Sequence, residues 1–454
     1  MATTARPEPT AAHPPHPTYH EVTRDIAATL GSPKRGYFVL MGFVLTVLAA
    51  GALALLYQVR WGLGVAGYTP PVMWGVYITT FVFWVGIAHS GTLISAILYL
   101  FRSAWRTAVY RTAEAMTVFA VMTAGLFPLI HVGRLWYAYW LVPYPNQRGL
   151  WVNFKSPLVW DVFAVSTYFT VSTLFLLVGL VPDVASIRDK ATGWRKKFYR
   201  ITALGWRGTD QQWRHYTKAY LYMAALATPL VLSVHSVVSW DFAMSIVPGW
   251  HATIFAPYFV AGAIYSGVAM VITLIVPLRK VFRLERYITV MHFENLSKLL
   301  LLTGMIVGYA YGMEYFIAWY SGNPFERASF WNRAFGDYWW ATWTMILCNG
   351  VLPLLLWFPK VRRSIPALFV MSLFVNLGMW FERFVIIVVS LSFEYEPYAM
   401  GHYTPSWVDW TVLAGSFAWF FMWFLLFAKN FPTVSITEVK EIIPMPRRRK
   451  EAPA

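Results

Sequence analysis

The chain has 454 residues, of which 58% are hydrophobic, 18% aromatic and 13% charged, and its formal net charge is +16. Because soluble domains carry about 25% charged residues, this composition excludes a chain of ordinary soluble domains. The single cysteine, Cys348, also excludes a disulfide framework and any all-cysteine iron–sulfur or zinc site within the chain.

Apolar segments long enough to cross a hydrocarbon layer of about 30 Å occur ten times along the sequence. They cover approximately residues 37–59, 72–101, 108–131, 157–181, 217–240, 253–278, 294–319, 338–358, 365–391 and 406–428. We therefore predict an all-α polytopic membrane protein with a membrane domain over 37–430 and tails over 1–36 and 431–454. The first tail is polar and rich in proline and histidine, without a cleavable signal peptide, so the first span is expected to direct insertion.

The basic residues predict the orientation of the spans, because Lys and Arg accumulate in cytoplasmic segments. With the N-terminus in the cytoplasm, 30 of the 37 basic residues lie in inner segments, six lie in outer segments and Arg383 lies inside span 9. Both termini are therefore expected in the cytoplasm. The basic runs at 195–197 and 447–450 are interpreted as topology signals near anionic lipid rather than as a partner site, and nucleic acid is not an expected partner.

A weak internal repeat relates the two halves of the membrane domain. The segment GIAHSG at 86–91 is similar to GAIYSG at 262–267, an offset of 176, and spans 3 and 7 and spans 4 and 8 align at offsets of 180 and 177. The near-equal offsets predict two parallel four-helix bundles, spans 2–5 and 6–9, flanked by spans 1 and 10. In the second copy, tyrosines replace His89, His131 and Asp161, which predicts one active site in the first bundle.

Ionisable side chains inside spans are costly, and each is therefore a candidate for function. At 1.5 Å per residue, most candidates lie toward the outer side: His131, Arg134, Asp161, His235, Asp241, His251, Glu314 and Arg383. His89 lies near the middle of its span, and Glu114 and Glu294 lie near the inner face. A quinol releases two protons with its two electrons, and an imidazole and a partly desolvated carboxylate are suitable acceptors.

Each candidate also has a structural interpretation. Asp161 and Asp241 fit helix-end caps, His131 fits an interfacial histidine bonded to a loop carbonyl, and His251 fits a loop position. Arg383 is able to pair with Glu382. The remaining alternatives are an interhelical hydrogen bond for His89, a purely structural role for Glu314, and surface ion pairs with Arg111 and Lys298 for Glu114 and Glu294.

Haem is not expected in this chain. A bis-histidine haem needs ligands at matching depth on facing helices, whereas His89 and His292 have no partners at their estimated depths, and there is no Cys-x-x-Cys-His motif. If the chain oxidises a quinol, the electrons must leave through another subunit on the outer face.

Several motifs resemble the NrfD/polysulfide reductase family of membrane subunits. They are GIAHSGTLIS at 86–95, IHVGR at 130–134, SVHSVVSWDFA at 233–243, PGWH at 248–251 and ERYIT at 285–289. The likeness covers essentially all of 37–430. With ten spans rather than eight, it is greatest to the ActC group of the family, the quinol-binding subunits of bacterial alternative complex III.

This resemblance implies a quinol-binding, quinol-oxidising subunit of the bacterial inner membrane, with menaquinol as the expected quinol and no haem or iron–sulfur cluster in the chain. The implied partners are a periplasmic iron–sulfur subunit, multihaem cytochrome c subunits and a second NrfD-like membrane subunit. The family's quinol pocket corresponds to His131, Asp161, His235, Asp241 and Arg383, with His131 and Asp161 as the catalytic pair. Its proton path corresponds to His89, Glu114 and Glu294, and no metal site is implied.

Two other functions fit part of the pattern. A secondary transporter would also show parallel repeats and intramembrane charges, although its spans would be broken by Gly or Pro at the midplane. A passive anchor for another NrfD-type oxidoreductase would leave the asymmetric set of His and Asp residues without a role.

Overall fold

Ten long apolar helices dominate the computed structural model, which describes residues 17–142 and 154–443. The ten spans, numbered 1 to 10, are Arg35–Trp61, Val76–Leu100, Tyr110–His131, Pro157–Arg188, Asp210–Ala243, Phe255–Val281, Val290–Tyr320, Trp339–Trp357, Ile365–Val389 and Trp407–Asn430. The predicted all-α class and the number of spans are therefore confirmed. Residues 1–16 of the N-terminal tail, the basic run at 447–450 and Arg148 lie outside the described residues.

Four shorter helices lie outside the spans: the N-terminal helix Tyr19–Ala28, the basic helix Gly193–Thr202, the outer helix Pro324–Phe335 and the C-terminal helix Ile436–Glu441. Helical segments of three to seven residues complete the connections at Leu63–Ala66, Ala104–Ala108, Leu135–Leu141, Pro359–Arg362 and Pro397–Ala399. The C-terminal helix packs against the membrane domain: both the amide and the hydroxyl of Thr437 donate to Asp183 of span 4.

Several spans depart from regular α-helix. Span 3 is interrupted at Gly125, and spans 2, 8 and 9 contain π-helical turns at Leu93–Ile97, Ile346–Val351 and Val385–Val389. A π turn inserts one extra residue per turn and rotates the side chains on either side of it, and such turns are frequent at functional sites. Two of the three lie beside the buried polar residues described below.

Spans 2, 6 and 9 are the most enclosed, whereas span 1 is mostly exposed and packs against span 10. Spans 2 and 6 meet through the two segments that match in the internal repeat. A Cβ atom at Gly267 would lie 2.6 Å from the Ile87 carbonyl oxygen, and one at Gly86 would lie 3.4 Å from the Ser266 hydroxyl. The repeated motif therefore forms a close helix contact. The grouping of spans 2–5 and 6–9 into two equivalent bundles stays a prediction.

Candidate functional site

A pair of histidines lies at the centre of the membrane domain. His89 of span 2 and His235 of span 5 are both fully buried, and their ring centroids are 4.6 Å apart. His89 donates from Nδ1 to the Val85 carbonyl at 2.5 Å and stacks on Tyr168 of span 4 at 4.9 Å. Its Nε2 atom and both ring nitrogens of His235 have no hydrogen-bond partner. Three buried imidazole nitrogens are thus available to a ligand, and in the neutral rings two of them carry the lone pair that accepts a proton.

This pairing corrects the depth argument used for haem, which left His89 without a partner. At 4.6 Å the two rings are in van der Waals contact, so no haem plane fits between them. The hydrogen bond of His89 also runs within span 2 rather than between helices. In the described part of the chain there is no group of three or more His, Cys, Asp or Glu side chains placed to hold a metal ion.

Arg383 brings a buried cation from span 9 to the same place. Its guanidinium lies over the Phe259 ring of span 6 at 4.6 Å, and Nη1 is 2.5 Å from Oε1 of Glu382. Nη2 has no hydrogen-bond partner. The Arg383–Glu382 pair confirms the structural alternative considered for this arginine, but that pair leaves Nη2 free for a ligand.

Glu382 is itself held by neighbours from spans 7 and 8. Tyr311 donates a short hydrogen bond to Oε2 of Glu382, and the Asn349 amide donates to the Tyr311 hydroxyl at 3.0 Å. The π turn of span 9 begins two residues after Arg383, and its Ile386 carbonyl accepts from the Trp250 indole at 2.5 Å. His89, Tyr168, His235, Phe259, Glu382 and Arg383 are called the central cluster below. It joins spans of both halves, whereas the sequence predicted a site within spans 2–5.

Two carboxyl groups lie near the start of span 4 and near the end of span 5, on the side predicted to face outward. Asp161 and Asp241 lie close enough to interact directly, and Oδ1 of each has no hydrogen-bond partner. The N-cap of span 4 is Ser156, so the helix-cap interpretation of Asp161 is wrong. Two carboxyl groups this close share a proton more readily than they carry two negative charges, which makes the pair a proton acceptor.

Aromatic rings fill the space between the carboxyl pair and the central cluster. Phe242, next to Asp241, contacts Phe259 at 5.5 Å and Trp250 at 4.9 Å between ring centroids, and Trp74 contacts both Phe242 and Trp250. Phe259 in turn lies 5.8 Å from the His235 ring. Flat rings with polar groups at both ends suit a planar aromatic ligand.

His131 lies apart from both groups. It ends span 3, and its ring meets the Tyr68 ring edge-on at 5.6 Å, while Nδ1 has no hydrogen-bond partner. Tyr68 in turn packs on Tyr403. The contacts of His131 just described do not include Asp161, and the catalytic pairing of His131 with Asp161 stays a prediction. His251 lies in the connection before span 6, as its loop interpretation expected.

Glu114 belongs to a buried charge network at the side of the membrane domain that is predicted to be the inner face. Arg111 contacts Glu114 and Asp183 at 3.1 Å each, and the Tyr220 hydroxyl donates to Glu114 at 3.0 Å. Arg106 and Glu438, 2.7 Å apart, complete this inner network. The predicted pairing of Glu114 with Arg111 is therefore confirmed, but its predicted location at the surface is wrong, because both side chains are buried.

Glu294, by contrast, does form surface ion pairs. It lies 2.9 Å from Arg363 and 3.3 Å from Lys298. Both cations are more than half exposed, so these ion pairs are open to the solvent at the face predicted to be inner.

Comparison with known proteins identifies the family. Residues 64–393 match the sequence model described as polysulphide reductase, NrfD. The chain belongs to the NrfD family.

Three relatives of this NrfD protein are named as parts of redox complexes. A Halobacterium salinarum protein, provisionally named as a membrane subunit of dimethyl sulfoxide reductase, is 28% identical over 79% of this chain and 78% of its own length. The Hdr-like menaquinol oxidoreductase integral membrane subunit of Archaeoglobus fulgidus is 21% identical over 90% of this chain and 96% of its own length. A selenate reductase subunit from Mesobacillus selenatarsenatis is 23% identical over 78% of this chain and 82% of its own length. The chain is a multi-pass membrane subunit of an NrfD-type oxidoreductase.

Sequence reasoning missed Tyr168, Phe259 and Glu438 in this NrfD protein. Tyr168 and Phe259 are two aromatic residues among 83 in the chain, and nothing in their spacing separates them from lipid-facing rings. Glu438 lies in a segment interpreted as a polar tail. The only signal for it was the capping pattern of Ser435 followed three residues later by Glu438.

Proposed function

We propose that this chain is the quinol-oxidising membrane subunit of its complex. The Asp161–Asp241 pair carries the proposal, because it offers an unpartnered carboxyl oxygen on each of two spans at the side predicted to face outward. One carboxylate of the pair takes a hydroxyl proton of the quinol as the electrons leave. His235 takes the second proton, since both of its ring nitrogens are without a partner.

The residues present suit a quinone ring. The aromatic side chains at 74, 242, 250 and 259 supply flat apolar surfaces, and the free Nη2 of Arg383 is able to donate to a quinone oxygen. Menaquinol is the proposed substrate, and the support for it is the name of the Archaeoglobus fulgidus relative. We keep His131 as a second candidate proton acceptor, at the outer end of span 3.

The electrons need a redox partner, which we propose to be a periplasmic iron–sulfur subunit followed by multihaem cytochromes, with a second NrfD-like subunit alongside. Membership of the ActC group of alternative complex III and location in a bacterial inner membrane with cytoplasmic termini remain predictions. So does proton translocation through His89, Glu114 and Glu294. Of these three, Glu294 lies at the inner surface, where it exchanges protons only with that side.

The test is quinol oxidation by the purified complex carrying Asp161→Asn or Asp241→Asn. Each variant keeps the size of the side chain and removes the carboxylate, so we expect the rate to fall by about 100-fold, as for loss of a general base. Asp337→Asn is the matched control, because the Asp337 side chain is 80% exposed and lies outside both groups.

Binding of a quinone analogue is measured in the same preparations. Loss of the rate with retained binding assigns the carboxyl pair to proton transfer rather than to folding. Wild-type rates in both variants would rule out the proposed site.

A further inference from the structure

A groove of about 860 Å³ lies at the ends of spans 1, 6 and 10 that the topology places at the inner face. Three segments line it: residues 25–40 before and within span 1, residues 273–283 of span 6 and its end, and residues 421–429 of span 10. Its volume is in the range of sites that hold a whole small ligand. It is remote from the central cluster, and the proposed function makes no use of it.

The groove has an apolar wall and is open on the side where the spans are exposed. Leu274 and Phe424 form the buried side, whereas Leu40 and Val281 are 48% and 66% exposed on the outer surface of the spans. Residues 421–429 cover about 12 Å of helix, most of one leaflet of a hydrocarbon core of about 30 Å. A hydrocarbon chain in the inner leaflet therefore enters the groove without crossing a polar barrier.

Three cations lie at the polar end of the groove: Lys34, Arg283 and Lys429. None of the three forms an ion pair with a carboxylate in the described part of the chain. Asp25 is the one acidic lining residue, and its oxygens already contact Arg24 at 3.0 Å and the Tyr287 hydroxyl at 3.0 Å. The groove thus has an uncompensated positive end.

The wall formed by the N-terminal segment is held in place by the rest of the protein. Tyr287 bonds to Asp25, and Arg195 of the basic helix donates to the Leu30 carbonyl at 2.5 Å. The ammonium group of Lys429 lies 5.4 Å from the centre of the Tyr37 ring. The groove is therefore preformed, which lowers the entropic cost of binding.

We propose that this groove binds an anionic phospholipid of the inner leaflet. One acyl chain lies along the apolar wall, and the phosphate lies among Lys34, Arg283 and Lys429. The charge decides the class of ligand: a quinone head is uncharged and gains little from three cations, and a zwitterionic headgroup neutralises only part of them.

The experiment measures phospholipid binding to the purified, delipidated complex by native mass spectrometry. Phosphatidylglycerol is compared with phosphatidylcholine of the same acyl chains, in the wild type and in the triple variant Lys34→Gln, Arg283→Gln, Lys429→Gln. We expect the triple variant to bind phosphatidylglycerol at least tenfold more weakly and phosphatidylcholine unchanged. The matched control is Arg207→Gln, Arg214→Gln, Lys218→Gln, three exposed inner cations that do not line the groove.

A second variant, Leu40→Trp, fills the apolar part from its exposed side and is expected to weaken binding of both lipids. Equal binding of the two lipids by the wild type would overturn the proposal. Equal loss of phosphatidylglycerol binding in the triple variant and in its control would also overturn the proposal. Displacement of bound phosphatidylglycerol by menaquinone would overturn it as well. Quinol oxidation is recorded in parallel, so that failure of the lipid site is distinguished from failure of the quinol site.

Discussion

At the scale of single residues, Glu438 shows how burial and charge compete. Its side chain is 4% exposed and lies 2.7 Å from Arg106. Burial raises the pKa of Glu438 from 4.5 to about 7, although Arg106 and Arg111 act in the opposite direction. Desolvation of the carboxylate therefore outweighs the attraction of its two cationic neighbours.

This shift predicts how stability changes with pH. Because the folded-state pKa is raised, the stabilising contribution of Glu438 is fully present below about pH 4.5 and is lost as the pH rises through about 7. Glu438→Gln removes this titration and mimics the protonated form. We expect the melting temperature of the wild type, relative to that of Glu438→Gln, to fall between pH 5 and pH 8.

The measurement is thermal unfolding of both proteins in the same detergent at each pH. A wild-type advantage that grows with pH would mean that the ion pair with Arg106 dominates, contrary to this expectation. Glu294→Gln is the control at the same face, since Glu294 is in contact with solvent and is not buried in the inner network.

Predictions about single residues were right where the residue type and its position in a span were sufficient. They failed where the function of a side chain depends on a neighbour from another span. A charge inside an apolar segment, such as Arg383, is visible in the sequence, and its pairing with the adjacent Glu382 was foreseen as an alternative. The contact between His89 and His235 was missed, because residue counts along two separate helices do not give their relative height. A helix tilted or bent by a π turn changes that height by several ångströms.

At the scale of elements, the contact between spans 2 and 6 leaves no room for a side chain at Gly267. A Cβ atom at Gly267 would lie 2.2 Å from the Ser90 hydroxyl and 2.6 Å from the Ile87 carbonyl, and the carbonyl belongs to the backbone of span 2. We expect Gly267→Ala to lower stability by about 1–3 kcal/mol, the usual cost of overpacking.

Gly308→Ala in span 7 is the matched control, because no atom lies within 4 Å of the added carbon. Alanine favours a helix over glycine by about 1 kcal/mol, so this variant is expected to be neutral or slightly more stable. The measurement is the melting temperature of Gly267→Ala and of Gly308→Ala, each compared with that of the wild type. Equal melting temperatures would show that spans 2 and 6 separate at little cost.

The existence of the ten spans followed from sequence because one physical quantity, apolar length, determines a membrane helix. The interruption of span 3 at Gly125 and the π turns of spans 2, 8 and 9 had no comparable signal. Local propensity barely separates α from π geometry, and packing between neighbouring spans decides it.

At the scale of the whole molecule, the distribution of basic residues predicts the orientation. Cys348 is the only cysteine and is buried, so cysteines introduced at exposed positions are labelled selectively. A membrane-impermeant maleimide is expected to label Tyr398→Cys in intact cells and Lys196→Cys only after lysis. Tyr398 is 87% exposed between spans 9 and 10, and Lys196 is exposed in the basic helix.

The reverse pattern of labelling would place the Asp161–Asp241 pair on the cytoplasmic side. It would also move the expected redox partner to that side. The same experiment therefore tests both the topology and the direction in which electrons leave.

The inner network also has a consequence for how the protein is made. Arg106 forms its ion pair with Glu438, and Asp183 accepts two hydrogen bonds from Thr437. Both partners are synthesised after all ten spans. A chain that ends at Asn430 would insert every span but keep a buried arginine without a counter-charge, a strongly destabilising defect. Proteases remove such marginal proteins from cells. The helix Ile436–Glu441 is therefore expected to protect the folded membrane domain from proteolysis, and a chain truncated after Asn430 is expected to be degraded faster.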